Sequence, residues 1–495
     1  MKQFILMSMV LLFFSCSKKE VLPMRISLPL KTMSLDPHHM EDIYSMMVNF
    51  QIHSSLFQYL PDGSIVSDIA NDYIISDDFL TYTFSLSTKY FSDQSQITAA
   101  DVEKSLKRIF VKGASISADL QAIDGYAQFL KNNDQNVLGI KATKENKLVI
   151  KLSKPNPILI KQLATPDTAI LKLNESLDLV KNIYSGKYRV SKYEANLLEL
   201  TLWSKDQYTS KNAARDVKYL LNDKDDSYNL AQKNEIDLVN LSLLNPEQIE
   251  LIKSLKFKEV VSGITHEQFL VLNPKLISLD WRKYLMFQFN TEELIKEIGF
   301  NNLEPAYGFV PTVLKGSIKK SIKDQIDLTF DNSKLTPITL TINLTTGKMN
   351  ERIATVLKKF WSHSNLKLSF NFMKIDSYLE SIFAKKFEAV IVPKGLDYPD
   401  AMANLSYFKS DIKDNFFLVF DKEIDKKIEL CSTTMDKNAE CFVDLQKTIM
   451  QKVNVIPLFF GTDKIEFWSN NIKSVPPHPL GIQFLKLDQI EMNDE

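Results

Sequence analysis

Apolar and polar positions change period several times along this chain, and each change predicts an element. Thr81 to Ser87 alternates strictly, with Tyr82, Phe84 and Leu86 on one face and Thr81, Thr83 and Ser85 on the other, which predicts a half-buried strand. Its expected partner is Asp72 to Ile75, across the polar turn Ser76, Asp77, Asp78. Thr98, Ala99, Ala100, Asp101 has the form of a capping box, and Val102, Leu106 and Ile109 follow at helical spacing, so a helix starts at Thr98. Met24 to Leu30 reads as a short strand leading to an Asp36-Pro37 turn, and Ile43 to Leu56 as a helix. Further strands are expected at Leu148 to Leu152, Leu200 to Trp203, Ile236 to Leu241, Phe269 to Asn273, Ile338 to Leu344 and Phe387 to Val392. Helices are expected at Trp281 to Phe289 and Glu351 to Trp361, the second burying Ile353, Val356, Leu357 and Phe360. Strands followed by helices argue for α/β domains with ligands at the carboxyl ends of the strands.

The N-terminus follows a different pattern. Lys2 precedes an almost wholly apolar run from Phe4 to Phe14, and then come Ser15, Cys16, Ser17, Lys18 and Lys19. About eleven residues at roughly 1.5 Å each cannot cross a roughly 30 Å hydrocarbon core. The run reads as a signal to be removed. Phe13-Phe14-Ser15-Cys16 resembles a bacterial lipobox, with Phe13 where Leu is usual, and that resemblance implies that Cys16 becomes an acylated N-terminus anchored in the membrane. An ordinary cleaved signal is the alternative, and both readings put the protein outside the cytoplasm. No later apolar stretch is long enough to span a bilayer.

Composition removes several functions. Lys plus Arg at 60 against Asp plus Glu at 61 leaves no basic excess to release counterions from phosphates, so nucleic acid is not an expected partner. A chain of 495 residues is too long for one core and should split into two or three domains. Gly347-Lys348 lacks a phosphate loop's first Gly, since Ile342 stands there, and its Ser or Thr, replaced by Met349. His266-Glu267 begins a zinc-protease pattern, but Leu270 occupies the second histidine position. No Gly-x-Ser-x-Gly elbow occurs, so no catalytic residue and no cofactor is expected. Adjacent His38 and His39 point to opposite faces of an extended segment, so a shared metal is not expected either. Beyond Cys16 only Cys431 and Cys441 remain, an even pair in an oxidising compartment. A disulfide is the expectation, with two buried free thiols as the alternative.

The stretch Leu56-Phe57-Gln58-Tyr59-Leu60-Pro61-Asp62-Gly63 through Ile69-Ala70, Asp77 to Leu86, Phe91-Ser92-Asp93 and Ile97 to Val102 resembles the signature of the family 5 bacterial extracellular solute-binding proteins, receptors of ABC importers for peptides, dipeptides and nickel. Leu35-Asp36-Pro37, Ser185-Gly186-Lys187-Tyr188, Asn234-Glu235-Ile236-Asp237, Asp397-Tyr398-Pro399-Asp400 and Val455-Ile456-Pro457-Leu458 fall in the family's order. Phe79 and Gln94 replace turn glycines and Lys187 replaces a proline, which look like surface changes. The family's peptide receptors usually carry a tryptophan before the Asp-Tyr pair, where this chain has Pro393-Lys394-Gly395-Leu396.

What the resemblance implies is an α/β, two-lobed periplasmic-binding-protein type II (cluster C) fold with an extra small domain. On that template residues 1–15 are the signal peptide and 16–23 a lipid-anchored linker. Residues 24–49, 163–264 and 460–495 build the first lobe, 50–162 the inserted extra domain, and 265–459 the second lobe. The implied function is a lipid-anchored receptor, expected as a monomer, that delivers oligopeptides or dipeptides to ABC permease subunits with cytoplasmic ATPases from the periplasmic or cell-surface side. Receptors for a metal chelate, sugar or other amine, and a peptide-sensing signalling receptor, are the alternatives. By position Asp397 takes the peptide α-ammonium, and its alternative role is to cap a turn. Tyr398, Tyr407 and His38 are candidates to line the cleft, although aromatic residues such as Tyr398, Tyr407, Phe408 and Trp361 more often fill a core.

Overall fold

The structure is a computed structural model and describes residues 23–40, 42–60, 64–222, 226–240, 246–255, 257–300, 302–395, 398, 400–412, 415–433, 439–468, 471–476, 478, 481 and 484–493. Its first half runs β1 (Met24–Leu28), α1 (Ile43–Ile52), β2 (Phe57–Tyr59), β3 (Ile65–Ser67), β4 (Ala70–Ile75), β5 (Thr81–Leu86), α2 (Ala99–Lys112), β6 (Ile140–Ala142), β7 (Lys147–Lys151), β8 (Tyr188–Glu194), β9 (Leu197–Leu202), β10 (Asp216–Leu221) and β11 (Leu238–Asn240). Beyond lie β12 (Phe257–Leu272), β13 (Leu303–Pro305), β14 (Ile338–Thr345), β15 (Leu366–Met373), β16 (Ala389–Gly395) and β17 (Val455–Trp468), with helices between them.

The alternation at Thr81 becomes β5, antiparallel to β4 with Ile75 opposite Tyr82, inside the four-stranded sheet β4-β5-β7-β6. α2 covers this sheet with Val102, Leu106 and Ile109, all buried, each stabilising by about 1.5–3 kcal/mol at most. Its capping box is complete: Asp101 N–H donates to Thr98 Oγ1, and Thr98 N–H donates to Asp101 Oδ2 at 2.9 Å. Phe79 and Gln94 hold φ of +59° and +68°, so the two lost glycines stand at left-handed positions costing about 1 kcal/mol each for a side chain.

Lys187 is different, and the expectation of a surface change is corrected there. Its ammonium lies between Asp206 (2.8 Å) and Asp488 (2.6 Å) with only 12% of the side chain exposed. Burial works against that charge, but the two carboxylates outweigh it and hold the lysine above its ordinary pKa. Lys187 thereby ties the C-terminal segment to β8. Its neighbour Gly186 is needed for close approach, because a Cβ there would sit 2.5 Å from the Gln51 carbonyl oxygen at the end of α1.

The main sheet has the order β15-β14-β16-β12-β17-β11-β1-β10-β9-β8 with β13 paired to β17. β1 runs parallel to β10 and meets β11, while β14 runs parallel to β15 and β16. β12 and β17, of 16 and 14 residues, join these two groups. Sixteen residues at about 3.3 Å each reach roughly 50 Å, enough to pass through both halves of the molecule. Their register shifts between Val261 and Ile264, between Ile264 and His266, and again at Gln268, and such bulges bend and twist a ribbon at its midpoint. The sequence pattern predicts only the apolar end of β12, at Phe269, and the family resemblance marks the start of β17, at Val455. Their central stretch, with Lys258, Glu259 and Ser262, carries no alternation that periodicity detects.

One apolar core gathers β1, α1, β8–β10 and the C-terminal residues Leu485–Met492, and a second runs from the small sheet into the half built on β14–β16. Asp237, from the Asn-Glu-Ile-Asp segment, is fully buried and accepts Arg25 Nη2 and the Arg25 backbone N–H, both at 2.8 Å. Cys431 and Cys441, with Cα atoms 5.8 Å apart, are joined in a disulfide between the helices Lys422–Thr433 and Ala439–Met450. Among the described residues no helix is long and apolar enough to cross a membrane. Cys16 lies outside the described residues.

Candidate functional site

β16 buries Ala389, Val390, Ile391 and Val392 and then emerges at Pro393, because the apolar run ends there. The Asp-Tyr-Pro-Asp segment follows. Asp397 lies outside the described residues, but both of its described companions are positioned. Tyr398 is buried at 1% exposure. Asp400 is buried at 4% and its Oδ1 accepts the Met402 N–H at 3.1 Å, opening the short helix Met402–Leu405.

The second oxygen of Asp400 reaches a distant part of the chain. Oδ2 accepts Lys161 Nζ at 3.0 Å, and Lys161 lies in the short helix Leu159–Gln162 after β7. The Lys161 carbonyl in turn accepts the Tyr59 hydroxyl at 2.8 Å. Burial first, and then the Asp400 charge, push the Tyr59 phenol well above its ordinary pKa, so it stays a neutral donor. Tyr59 meets Phe484 and His478 edge-on at 5.9 and 6.4 Å, which brings the C-terminal segment to the same place. Lys154 and Glu429 form a second, exposed contact of this kind at 3.3 Å. The stretch carrying β2–β7 therefore meets the β14–β16 half beside the Asp-Tyr-Pro-Asp segment.

Tyr407 is half-buried with Lys394 Nζ 4.3 Å from its ring centroid. Phe408 stacks on Phe417 at 4.4 Å, and Trp361, 1% exposed, donates its ring N–H to the Leu285 carbonyl at 2.9 Å, so both fill core. Buried Glu267 accepts Asn404 Nδ2, which also donates to the Phe309 carbonyl at 3.1 Å.

His38 sits elsewhere, 2% exposed, in the turn Pro37–His39 that Asp36 caps. Arg108 of α2 donates to both Asp36 oxygens at 2.7 and 2.5 Å, to the Leu177 carbonyl at 2.8 Å, and to His38 Nδ1 at 3.0 Å. Burial tends to raise the Asp36 pKa, yet Arg108 outweighs it and holds the carboxyl below its ordinary value. Burial, then the Arg108 charge, push His38 down to about 3, and burial pushes His53 down to about 4. Both imidazoles are neutral at pH 7. Among the described residues no group of three or more His, Cys, Asp and Glu is arranged to hold a metal ion.

Sequence reasoning gave no role to Lys161, Arg108, Tyr59 or Asp400. Asp400 was visible inside its motif, whereas nothing around Lys161 except the preceding Pro155-Asn156-Pro157 breaker marks it.

This architecture matches a known family. The family model for bacterial extracellular solute-binding proteins, family 5 Middle, fits residues 64–416. The chain belongs to the family 5 extracellular solute-binding proteins. It is a solute-binding receptor and not an enzyme. A curated relative, the dipeptide-binding protein DppE of Bacillus subtilis, is 20% identical over 465 residues, covering 84% of this chain and 82% of that one. Among solved structures, the Escherichia coli murein tripeptide binding protein MppA superposes with a TM-score of 0.78 at 17% identity, over 96% of this chain and 99% of its own. Haemophilus influenzae OppA, in complex with the peptide RPPGFSPFR, gives 0.77 at 16% identity over 95% and 99%. The fold is the type II periplasmic-binding-protein fold.

Proposed function

We propose that this receptor captures oligopeptides or dipeptides between two closing lobes and passes them to ABC permease subunits driven by cytoplasmic ATPases. In this reading it acts as a monomer, held to the membrane through acylated Cys16. Its lobes are 24–49 with 163–264 and 460–495, and 265–459, and the extra domain is 50–162. The names of DppE and MppA, and the peptide bound to the Haemophilus protein, support a peptide ligand.

The observation that carries the reading is the position of the Asp-Tyr-Pro-Asp segment, directly after β16 and beside the contact of Asp400 with Lys161. In this reading Asp397 takes the α-ammonium and half-buried Tyr407 lines the cleft, while Tyr398, 1% exposed, supports the segment from the core. An extended peptide presents the same backbone whatever its side chains, so main-chain hydrogen bonds supply affinity and hydrated pockets tolerate variety. His38, buried against Arg108 and Asp36, is withdrawn from the ligand contacts. Native mass spectrometry of gently purified protein tests the reading. Co-purified peptides support it, and a metal or sugar adduct overturns it. Asp397→Ala should weaken peptide binding on the order of tenfold or more, and unchanged affinity in calorimetry removes that residue from the site.

A further inference from the structure

A cavity of about 270 Å³ lies in the half built on β14–β16, beside Ile456 and Pro457 at the start of β17. Those two residues pair with Leu270 and Phe269 of β12, whereas Gly395, from which the Asp-Tyr-Pro-Asp segment departs, pairs with His266. Three to four residues of strand at about 3.3 Å each put roughly 10–13 Å between the two places along the sheet. The cavity floor is apolar, formed by Met286, Phe289, Met450 and Ile456, all of them buried. Its wall is tied down, because the Thr291 hydroxyl donates to the Leu458 carbonyl and accepts the Ala306 N–H at 3.3 Å.

Two opposite charges line this cavity without neutralising each other. Lys323 Nζ donates to the Phe289 carbonyl and, at 3.0 Å, to the Phe287 carbonyl, at the end of the helix Leu279–Gln288. That leaves one of the three ammonium donors for a ligand. Glu292, in the first turn of the helix Thr291–Ile298, accepts the Tyr307 hydroxyl with one carboxylate oxygen and keeps the other. Among the described residues neither Lys323 nor Glu292 forms an ion pair. Burial pushes the Lys323 ammonium down to about 8, with no carboxylate beside it to oppose the shift. Burial, and then the Glu292 carboxylate, push the Tyr307 phenol up to about 12, so it remains a neutral donor.

We propose that this cavity binds a free amino acid with an apolar side chain of about leucine's size, its carboxylate on Lys323, its ammonium on Glu292 and its side chain on the apolar floor. An unpaired cation and an unpaired anion above such a floor match a zwitterion. A fatty acid would leave Glu292 without a partner, and a simple amine would leave Lys323 without one. The volume lies just below the roughly 300–1,000 Å³ of pockets for larger ligands, which suits a single residue and not an extended peptide. The site is independent of the peptide reading.

Calorimetry of the purified protein with L-leucine tests the proposal. Leucine should bind saturably, and glycine, 4-methylpentanoate and 3-methylbutylamine, which lack the side chain, the amine and the carboxylate in turn, should each bind on the order of tenfold more weakly or worse. Glu292→Gln keeps an oxygen for the Tyr307 hydroxyl and removes only the charge, so it should fold normally and lose leucine affinity on the order of tenfold. Lys323→Met should lose as much. In both variants trialanine affinity should stay within about twofold of wild type, since the cavity is remote from the Asp-Tyr-Pro-Asp segment. Leucine that does not bind, that binds no better than its truncated analogues, that ignores both substitutions, or that trialanine displaces overturns the proposal, as does a parallel loss of trialanine affinity in the variants. A wild type that binds leucine and not trialanine counts against the peptide reading, while the analogues and variants still decide this site.

Discussion

Arg108 grips Asp36 with two hydrogen bonds and also donates to His38 and the Leu177 carbonyl, whereas Lys161 donates to Asp400 at 3.0 Å with a quarter of its side chain in solvent. Both fasten the β2–β7 stretch to another part of the molecule. A planar guanidinium with its donors satisfied resists rearrangement, because each bond lost leaves a buried group without a partner. An ammonium on a flexible stem is rehydrated as soon as its partner withdraws. The first joint is a forked one on a buried guanidinium, and the second joins a buried carboxylate to a partly solvated ammonium.

Acid should separate the two joints most strongly. His38 and His53 surround the Arg108 joint and are held neutral, with folded pKa values pushed down to about 3 and about 4, while the unfolded chain takes up protons near pH 6.5. The unfolded state therefore binds more protons between pH 6.5 and 4, and stability falls as pH drops through that window. The slope approaches about 1.4 kcal/mol per pH unit for each histidine. Asp36 acts lower down: its folded pKa is depressed, so its contribution is complete above the unfolded value near 3.9 and disappears as pH falls through the folded one. Urea midpoints measured from pH 7 to 4 check this. A flat profile means that the histidines are not buried as described.

Next in size, Arg108→Met should destabilise the fold by about 3 kcal/mol, since it leaves Asp36 and the Leu177 carbonyl without their donor. If Lys161→Met costs as much in urea unfolding of the ligand-free protein, the contrast between the joints collapses. The smallest effect sharpens the same contrast through geometry. Arg108→Lys should lose about 1–2 kcal/mol, because one ammonium cannot reproduce the forked bond, while Lys161→Arg should leave thermal stability nearly unchanged.

Local chemistry was readable in advance. The alternation of β5, the capping box at Thr98 and the buried stripe of α2 all follow from residues within a few positions of one another. The family signature likewise ran through contiguous segments, with gaps in the expected order. What escaped were features whose meaning depends on remote residues. Lys187 looked like a surface change until Asp488 was found against it, and the long strands β12 and β17 showed only their apolar ends.

The amino-acid sequence alone determined short elements such as β5 and α2, because periodicity and capping are satisfied within one or two turns of chain. Tertiary structure decided which charges meet, since Asp36 and Arg108 lie 72 residues apart and Lys161 and Asp400 lie 239 apart. A charged residue is chemically the same on a solvated surface and in a buried pair. Only the packing that removes its water selects a partner for it.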